Sequence, residues 1–379
     1  MGATHDLLAT KCGDQILNKI RKADPKFQQI FSTSMVRTGD WGWPRPDYVC
    51  YDSVNDFTYA LEFKPPYQTK REYLTGLGQS LSYLQKHNYS GLILPEVADD
   101  GFEIAKFVKK TLASPEFSNV TTSLYSYDLK SHTVKIIRPI TTLRTSSIKA
   151  KTGKDIKTFW CWWRDISQYE VYDLLNLSFK FSDKSGDIYS TDIFPEFYKQ
   201  MLAGKTKQWD GTRRHKTAPI GSASYKAEKQ NYKIPLVQLE LWTNSEGRLT
   251  DLGFELLSIG KKYGPDSDQF IKKLARLLLV EGRHLDLINL IDGYQKDTTI
   301  IIPNKSDDYK VALDNYLTSR GCIGKRKPTA VTTGKKKSYV RDEPKLWNKL
   351  GLVETSNTGY FVPNEGYRFN WEKITDILI

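Results

Sequence analysis

Residues 46–64 read PDYVCYDSVNDFTYALEFK, and how this stretch is read decides the fold. Two runs rich in aromatic and β-branched residues, YVCY and FTYALEF, flank the polar turn DSVND, which predicts a strand, a turn and a second strand. Residues two apart in a strand point to the same face. Tyr59, Leu61 and Phe63 therefore share an apolar face, and Ala60, Glu62 and Lys64 share the other. Pro65 and Pro66 end the second strand, while Asp47 begins the first. If the strands form a hairpin, the carboxylates of Asp47 and Glu62 come close together.

Two carboxylates at short range repel each other, and a hard divalent cation such as Mg²⁺ resolves the conflict. A lysine two residues along the strand can then reach a water beside that cation. A cation that acidifies water, next to an ammonium that orients it, is the equipment for hydrolysing a phosphodiester. Spacing alone is not specific. Asp24-Pro-Lys26, Asp128-Leu-Lys130, Asp155-Ile-Lys157, Asp308-Tyr-Lys310 and Glu343-Pro-Lys345 share the acid-x-Lys pattern. Glu62-Phe-Lys64 differs because it lies on an apolar strand with Pro46-Asp47 upstream. The plain alternative is a strand-end ion pair facing solvent.

Outward from this stretch, residues 5–22 carry Leu7, Leu8, Ile16, Leu17 and Ile20 at helical spacing. TGDWGWPRPD reads as a loop, TKREYLTGLGQSLSYLQKH as a helix, YSGLILP as a buried strand and FEIAKFVKKTL as an amphipathic helix. SLYSYDL and TVKIIRPI read as two more strands around KSH. The order helix, strand, strand, helix, strand, helix, strand, strand predicts an α/β domain with a mixed sheet over residues 1–140. Residues 141–235 read as a basic linker or DNA-facing region. Residues 236–379 read as a helical region with two winged-helix-like segments, one from Leu236 to Gly264 and one from Leu346 to Trp371, the second turning at Asn357–Gly359.

GLGQSLSYLQ places Gln79 and Tyr83 four apart, on one helical face. Asp47, Glu62-x-Lys64 and Gln79-x-x-x-Tyr83, in this order, resemble the PD-(D/E)xK nuclease motif with its Q-x-x-x-Y extension, over roughly the first 140 residues. The resemblance implies a restriction-endonuclease-like mixed sheet flanked by helices. It implies that Asp47, Glu62 and the backbone carbonyl of Phe63 hold Mg²⁺, that Lys64 positions the attacking water, and that Gln79 and Tyr83 steady the site or contact the scissile strand. Many members add an acid from the first helix, for which Asp14 is the candidate by position. The plain reading of Gln79 and Tyr83 is a half-buried helix surface.

The formal net charge of +12 over 379 residues suggests a polyanionic partner, most simply double-stranded DNA. Residues 130–235 hold 20 Lys and Arg against 10 Asp and Glu, and KTKQWDGTRRHK (205–216) is the most basic patch. Arg213, Arg214, Lys216, Lys325, Arg326 and Lys327 are the candidate phosphate or base contacts, each with a solvated surface charge as its plain reading. FWCWWRD (159–165) offers aromatic faces for stacking on bases, though such a cluster is more often core.

Other classes fall away. No run of eighteen apolar residues predicts a membrane span, and the N-terminal stretch lacks a signal-peptide core. Position 6 is Asp6, which breaks the myristoylation pattern. Four scattered cysteines argue against a zinc or disulfide scaffold and for a reducing cytoplasm. No nucleotide-binding P-loop and no H-N-H or G-I-Y nuclease pattern is present. The expectation is a sequence-specific, Mg²⁺-dependent DNA endonuclease of a bacterial restriction–modification system, acting as a homodimer if both strands are to be cut. The alternatives are a repair or recombination nuclease, and a non-catalytic winged-helix regulator.

Overall fold

The hairpin expected at residues 46–64 forms, and the rest of a six-stranded sheet is built on it. A computed structural model describes residues 2–41, 43–117, 119–144, 158–243, 246–324, 338–355 and 359–379. By packing, the chain divides into one unit of residues 1–159 with 315–330 and another of 160–314 with 331–379. Most of the expected 141–157 linker lies outside the described residues.

The first unit runs α1 (Gly2–Arg21), α2 (Pro25–Gln28), β1 (Met35–Thr38), β2 (Tyr48–Asp52), β3 (Phe57–Phe63), α3 (Lys70–Tyr83), β4 (Tyr89–Pro95), α4 (Ile104–Leu112), β5 (Thr122–Tyr127) and β6 (Val134–Arg138). Strand order follows the sequence. β1, β2 and β3 are antiparallel, β3, β4 and β5 are parallel, and β6 returns antiparallel to β5. Parallel neighbours need a crossover, and α3 and α4 supply the two. The Asp52 carboxylate ties down the β2–β3 turn, accepting the N–H groups of Val54 (3.0 Å) and Asn55 (3.2 Å) and both the N–H and hydroxyl of Ser32.

The alternation read from FTYALEF holds. Tyr59, Leu61 and Phe63 join Ile16, Leu17, Ile20 and Tyr125 in one core layer under α1. On the other face Tyr73, Leu77, Leu92, Val108 and Leu124 form a second layer under α3 and α4. β1 and α2 are additions to the predicted order. β1 is only four residues long, and the partner for its edge is distant in sequence: the Arg37 N–H donates to the carbonyl of Gly321 at 2.7 Å. The Arg21 guanidinium donates to the carbonyls of Met35 (2.8 Å) and Ser319 (3.1 Å), so residues 318–321 cover an edge that would otherwise be left open.

The second unit is helical, with α5 (Gln168–Lys180), α6 (Phe194–Leu202), α7 (Ala223–Gln238), α8 (Asp251–Tyr263), α9 (Asp268–Leu279), α10 (His284–Lys296), α11 (Ser306–Ser319, its residues through Asp314), α12 (Glu343–Lys349) and α13 (Trp371–Leu378). Trp160, Cys161 and Trp163 of the aromatic cluster are buried. Trp160 Nε1 donates to Glu343 Oε1 (3.0 Å), and Trp347 Nε1 donates to His284 Nδ1 (2.9 Å), whose Nε2 in turn faces the Cys161 carbonyl (2.8 Å). Burial pushes His284 down to about 4, so the ring is neutral and structural.

Where wings were expected, the described residues pair through single bridges, Trp242 with Leu249 and Val353 with Phe369. Among the described residues of the second segment, a tight reversal falls at Val362–Gly366, where Asn364 and Gly366 take positive φ. Asn and Gly are the residues that tolerate the left-handed conformation these two positions take. Asn357 itself lies outside the described residues.

Leu61→Ala should lower unfolding free energy by about 2–5 kcal/mol, since it empties the centre of the α1-side core. Urea denaturation followed by far-UV circular dichroism measures this, and a loss within the error of the fit would contradict the packing described.

Candidate active site

The β2–β3 register sets the site. Tyr48 stands opposite Leu61, so Asp47 reaches the end of β3, where its Oδ2 accepts the N–H of Phe63 at 2.7 Å. Glu62 and Lys64 project from the sheet face under α3, and both are buried, at 3% and 8% exposure. Lys64 Nζ lies 2.9 Å from Glu62 Oε1 and donates to Gln79 Oε1 at 2.8 Å. The Tyr83 hydroxyl donates to Glu62 Oε2 and lies 3.2 Å from the carbonyl oxygen of Arg45. The backbone at Lys64 is fixed by its N–H donating to Ile93 O (3.0 Å) and by the Tyr127 hydroxyl donating to its carbonyl (3.2 Å). Asp47, Glu62, Lys64, Gln79 and Tyr83 thus meet in one place.

α3 starts where the Thr69 side chain accepts the Glu72 N–H, and this start places Gln79 and Tyr83 over the strand end. One further residue makes the approach possible. A Cβ at Gly76 would stand 2.6 Å from Lys64 Cε and 2.8 Å from Lys64 Cγ, so only glycine lets the lysine stem pass beneath the helix. Its signal was present in GLGQSLSY, one turn before Gln79.

The sequence reading missed two residues of α1. His5 Nε2 lies 3.2 Å from the Phe63 carbonyl oxygen and 3.9 Å from Asp47 Oδ2, while Nδ1 lies 3.1 Å from Asp6 Oδ1. His5, Asp6 and Asp47 can each offer a ligand atom within 4.8 Å of the others. Asp14, the first-helix acid singled out above, instead accepts the Tyr48 hydroxyl at 2.6 Å. Eight residues of helix span about 12 Å. The charge of Asp14 acts on Cys50, inside β2, which displaces it from the strand end.

Burial, followed by the charge of Asp47, pushes Glu62 up to about 8, against the opposing pull of Lys64 and Tyr83. Burial also raises the Tyr83 phenol, and the Glu62 charge adds to it. For His5, burial works downward, but Asp6, Asp47 and the Phe63 carbonyl outweigh it and raise the imidazole to about 9.

The basic residues fare unevenly. Arg213 is exposed. Arg214 is buried, its Nε 2.6 Å from Glu170 Oε1 and its Nη2 donating to the Asp165 carbonyl at 2.8 Å, so its charge is spent inside the second unit. Lys216 is half-buried and pairs with Glu228 at 3.0 Å. Lys325, Arg326 and Lys327 lie outside the described residues. The chain matches no protein-family model and no curated protein.

The two raised values make a signed prediction for stability. His5 contributes stability that is complete below 6.5 and lost as pH rises through about 9. Glu62 is favoured in its neutral form, so a penalty grows as pH rises from 4.5 through about 8. In EDTA, Tm should therefore fall as pH rises from 6.5 to 9, and Glu62→Gln and His5→Gln should each flatten the slope. Calorimetry across that range tests it, and a level wild-type profile would contradict the assignment of both shifts.

Proposed function

We propose that the chain is a Mg²⁺-dependent endonuclease of double-stranded DNA, of the sequence-specific kind that serves bacterial restriction–modification systems. The observation that carries this reading is the meeting of Asp47, Glu62 and Lys64 at one strand end, with Gln79 and Tyr83 braced against them from α3. A solvent-facing ion pair, the plain alternative for Glu62 and Lys64, does not fit side chains that are almost wholly buried.

The donor set suits Mg²⁺. Asp47, Glu62 and the Phe63 carbonyl are hard oxygen donors, and Asp6, from the first helix, lies within ligand reach of Asp47 in a cluster with His5 that does not include Glu62. A carboxyl raised to about 8 by burial and a neighbouring carboxylate is one that a divalent cation would return to its charged form. When bound, Mg²⁺ would supply charge neutralisation at the phosphate and acidification of water.

The chain's own groups do the rest. Lys64 uses one ammonium hydrogen on Gln79 and one on Glu62, which leaves a third to hold a water in line with the phosphorus. Gln79 and Glu62 keep the ammonium from swinging away, and Tyr83 does the same for Glu62. As that water attacks and the 3′ oxygen leaves, Lys64 opposes the negative charge that grows on the phosphate. The helical second unit, with its winged-helix-like segments and Arg213, would contribute recognition. Two active sites, and so a homodimer on the DNA, would cut both strands in the cytoplasm.

Plasmid DNA incubated with the protein and Mg²⁺ should give discrete fragments sharing an end sequence. A smear or cutting only at branches would favour a repair nuclease, and no cutting with Mg²⁺ or Mn²⁺ would leave the regulator. Lys64→Ala should reduce cleavage by at least ~10²-fold while DNA binding in Ca²⁺ persists. Gly76→Ala should also impair cleavage by displacing Lys64, although it touches no reacting group. Mg²⁺ affinity by titration calorimetry should rise about tenfold per pH unit below pH 8 as one proton is released, and Glu62→Gln should abolish that dependence.

A further inference from the structure

Three stretches singled out in the sequence converge on one cavity of the second unit. From FWCWWRD come Trp163, Arg164 and Asp165, from KTKQWDGTRRHK comes Trp209, and from the Leu346–Trp371 segment come Asn348, Lys349 and Tyr360, with Lys345 just before it. The cavity holds about 360 Å³, within the size range of small-molecule sites.

Its charges are not balanced internally. Asp165 is paired with Arg214 (3.3 Å), and Asp342 is paired with Arg341 (2.7 Å) and Arg164 (3.6 Å). Lys345 and Lys349 make no ion pair among the described residues, and they stand four apart on α12, on one face. Like charges at that spacing repel, and Lys349 already acts on the exposed Asp210, so the face favours further negative charge. Arg164 lies with its guanidinium 4.1 Å over the Trp162 ring, and its buried Nε has no hydrogen-bond partner. Trp163, Trp209 and Tyr360 contribute aromatic surface from three separate segments. Asn348 donates one amide hydrogen to Thr355 and lines the cavity, and a side-chain amide is a group that can pair with a base edge.

Aromatic walls, two exposed lysines on one helical face and an amide are together the recognition chemistry of a nucleotide. We propose that this cavity binds a single nucleotide, its base against Trp209 and Tyr360 and its phosphate on Lys345 and Lys349. The nucleotide is either one drawn out of a DNA strand or a free mononucleotide. The DNA source rests on the nuclease reading, whereas the cavity is built from second-unit residues alone and uses none of the Asp47–Glu62–Lys64 site. Stacking on an aromatic side chain is tolerant of base identity, so the amide and the paired carboxylates would set any preference.

The test uses the full chain and two probes. The four deoxynucleoside 5′-monophosphates are titrated singly against tryptophan fluorescence, and plasmid DNA with bromouracil in place of thymine is photocrosslinked in Ca²⁺ and mapped by mass spectrometry. At least one mononucleotide should quench saturably, equally in wild type and Lys64→Ala. Trp209→Ala or Tyr360→Ala should weaken binding about tenfold. Lys349→Glu, at an exposed position, should weaken it without loss of fold. A crosslink at Trp209 or Tyr360 assigns the base to DNA, and quenching without a crosslink assigns it to a free nucleotide. If no mononucleotide binds and no crosslink maps there, or if binding ignores all three cavity variants, the proposal is overturned. Plasmid cleavage scored in parallel separates the two readings: a chain that cuts but has no such binding loses only this inference, and one that binds but never cuts loses only the nuclease.

Discussion

A carboxyl group buried at the end of an apolar strand is the constraint around which the first unit is organised. Glu62 sits where an ionised acid costs several kcal/mol unless it is paired and hydrogen-bonded. Lys64 and Tyr83 take its two oxygens, and Gln79 takes part of the lysine. Each partner depends on a backbone decision elsewhere. The antiparallel register of β2 and β3 brings Asp47 alongside, the crossover between β3 and β4 places α3 overhead, and glycine at position 76 lets the two surfaces close. The fold does not merely carry the polar cluster, because without these elements the cluster would be a liability in the core.

Asp47 is what makes the arrangement unusual as a structural device. If the network served only to satisfy Glu62, a second carboxylate beside it would work against stability, and its charge does help hold Glu62 above the ordinary carboxylate range. His5 reaches toward Asp47, Asp6 and the Phe63 carbonyl at the same place, so positive charge is drawn to that point from a second element. Strain of this kind, kept where a strand end meets a helix, is characteristic of sites that bind a cation or a reacting anion.

The parts of this that were legible in the sequence are those governed by local periodicity. Alternation in FTYALEF assigned both faces of β3, and the four-residue spacing of Gln79 and Tyr83 assigned a helical face; both hold. What escaped depends on partners far along the chain. β1 is a strand because β2 lies on one side of it and residue 321 on the other, and MVRT alone is too short to announce itself. Asp6 and Asp14 are equally plausible acids until the pitch of α1 against Tyr48 is known. Arg214 looks like its neighbour Arg213 in sequence, and only Glu170, on another helix, withdraws it from the surface.

Arg214 also allows a comparison that sharpens the reading of Glu62. Glu170 in the second unit, like Glu62 in the first, is a buried acid held by a cation and a tyrosine, here Arg214 and Tyr232. Burial raises both acids. Glu170, however, also accepts the Ser167 N–H at 2.9 Å in a capping box, so its oxygens are filled by groups that build the start of α5. Glu62 has no such structural employment: a strand gains no cap from it, and its third neighbour is a like charge. The same three side-chain types therefore build the start of a helix in one unit and, beside Asp47 and the Phe63 carbonyl, a strand-end cluster in the other. Acid, cation and tyrosine are not a site in themselves: Glu170 also has a carboxylate near it, Asp173, and what separates the two is that the oxygens of Glu170 are filled by the start of α5, whereas Glu62 meets Asp47 and Lys64 at a strand end.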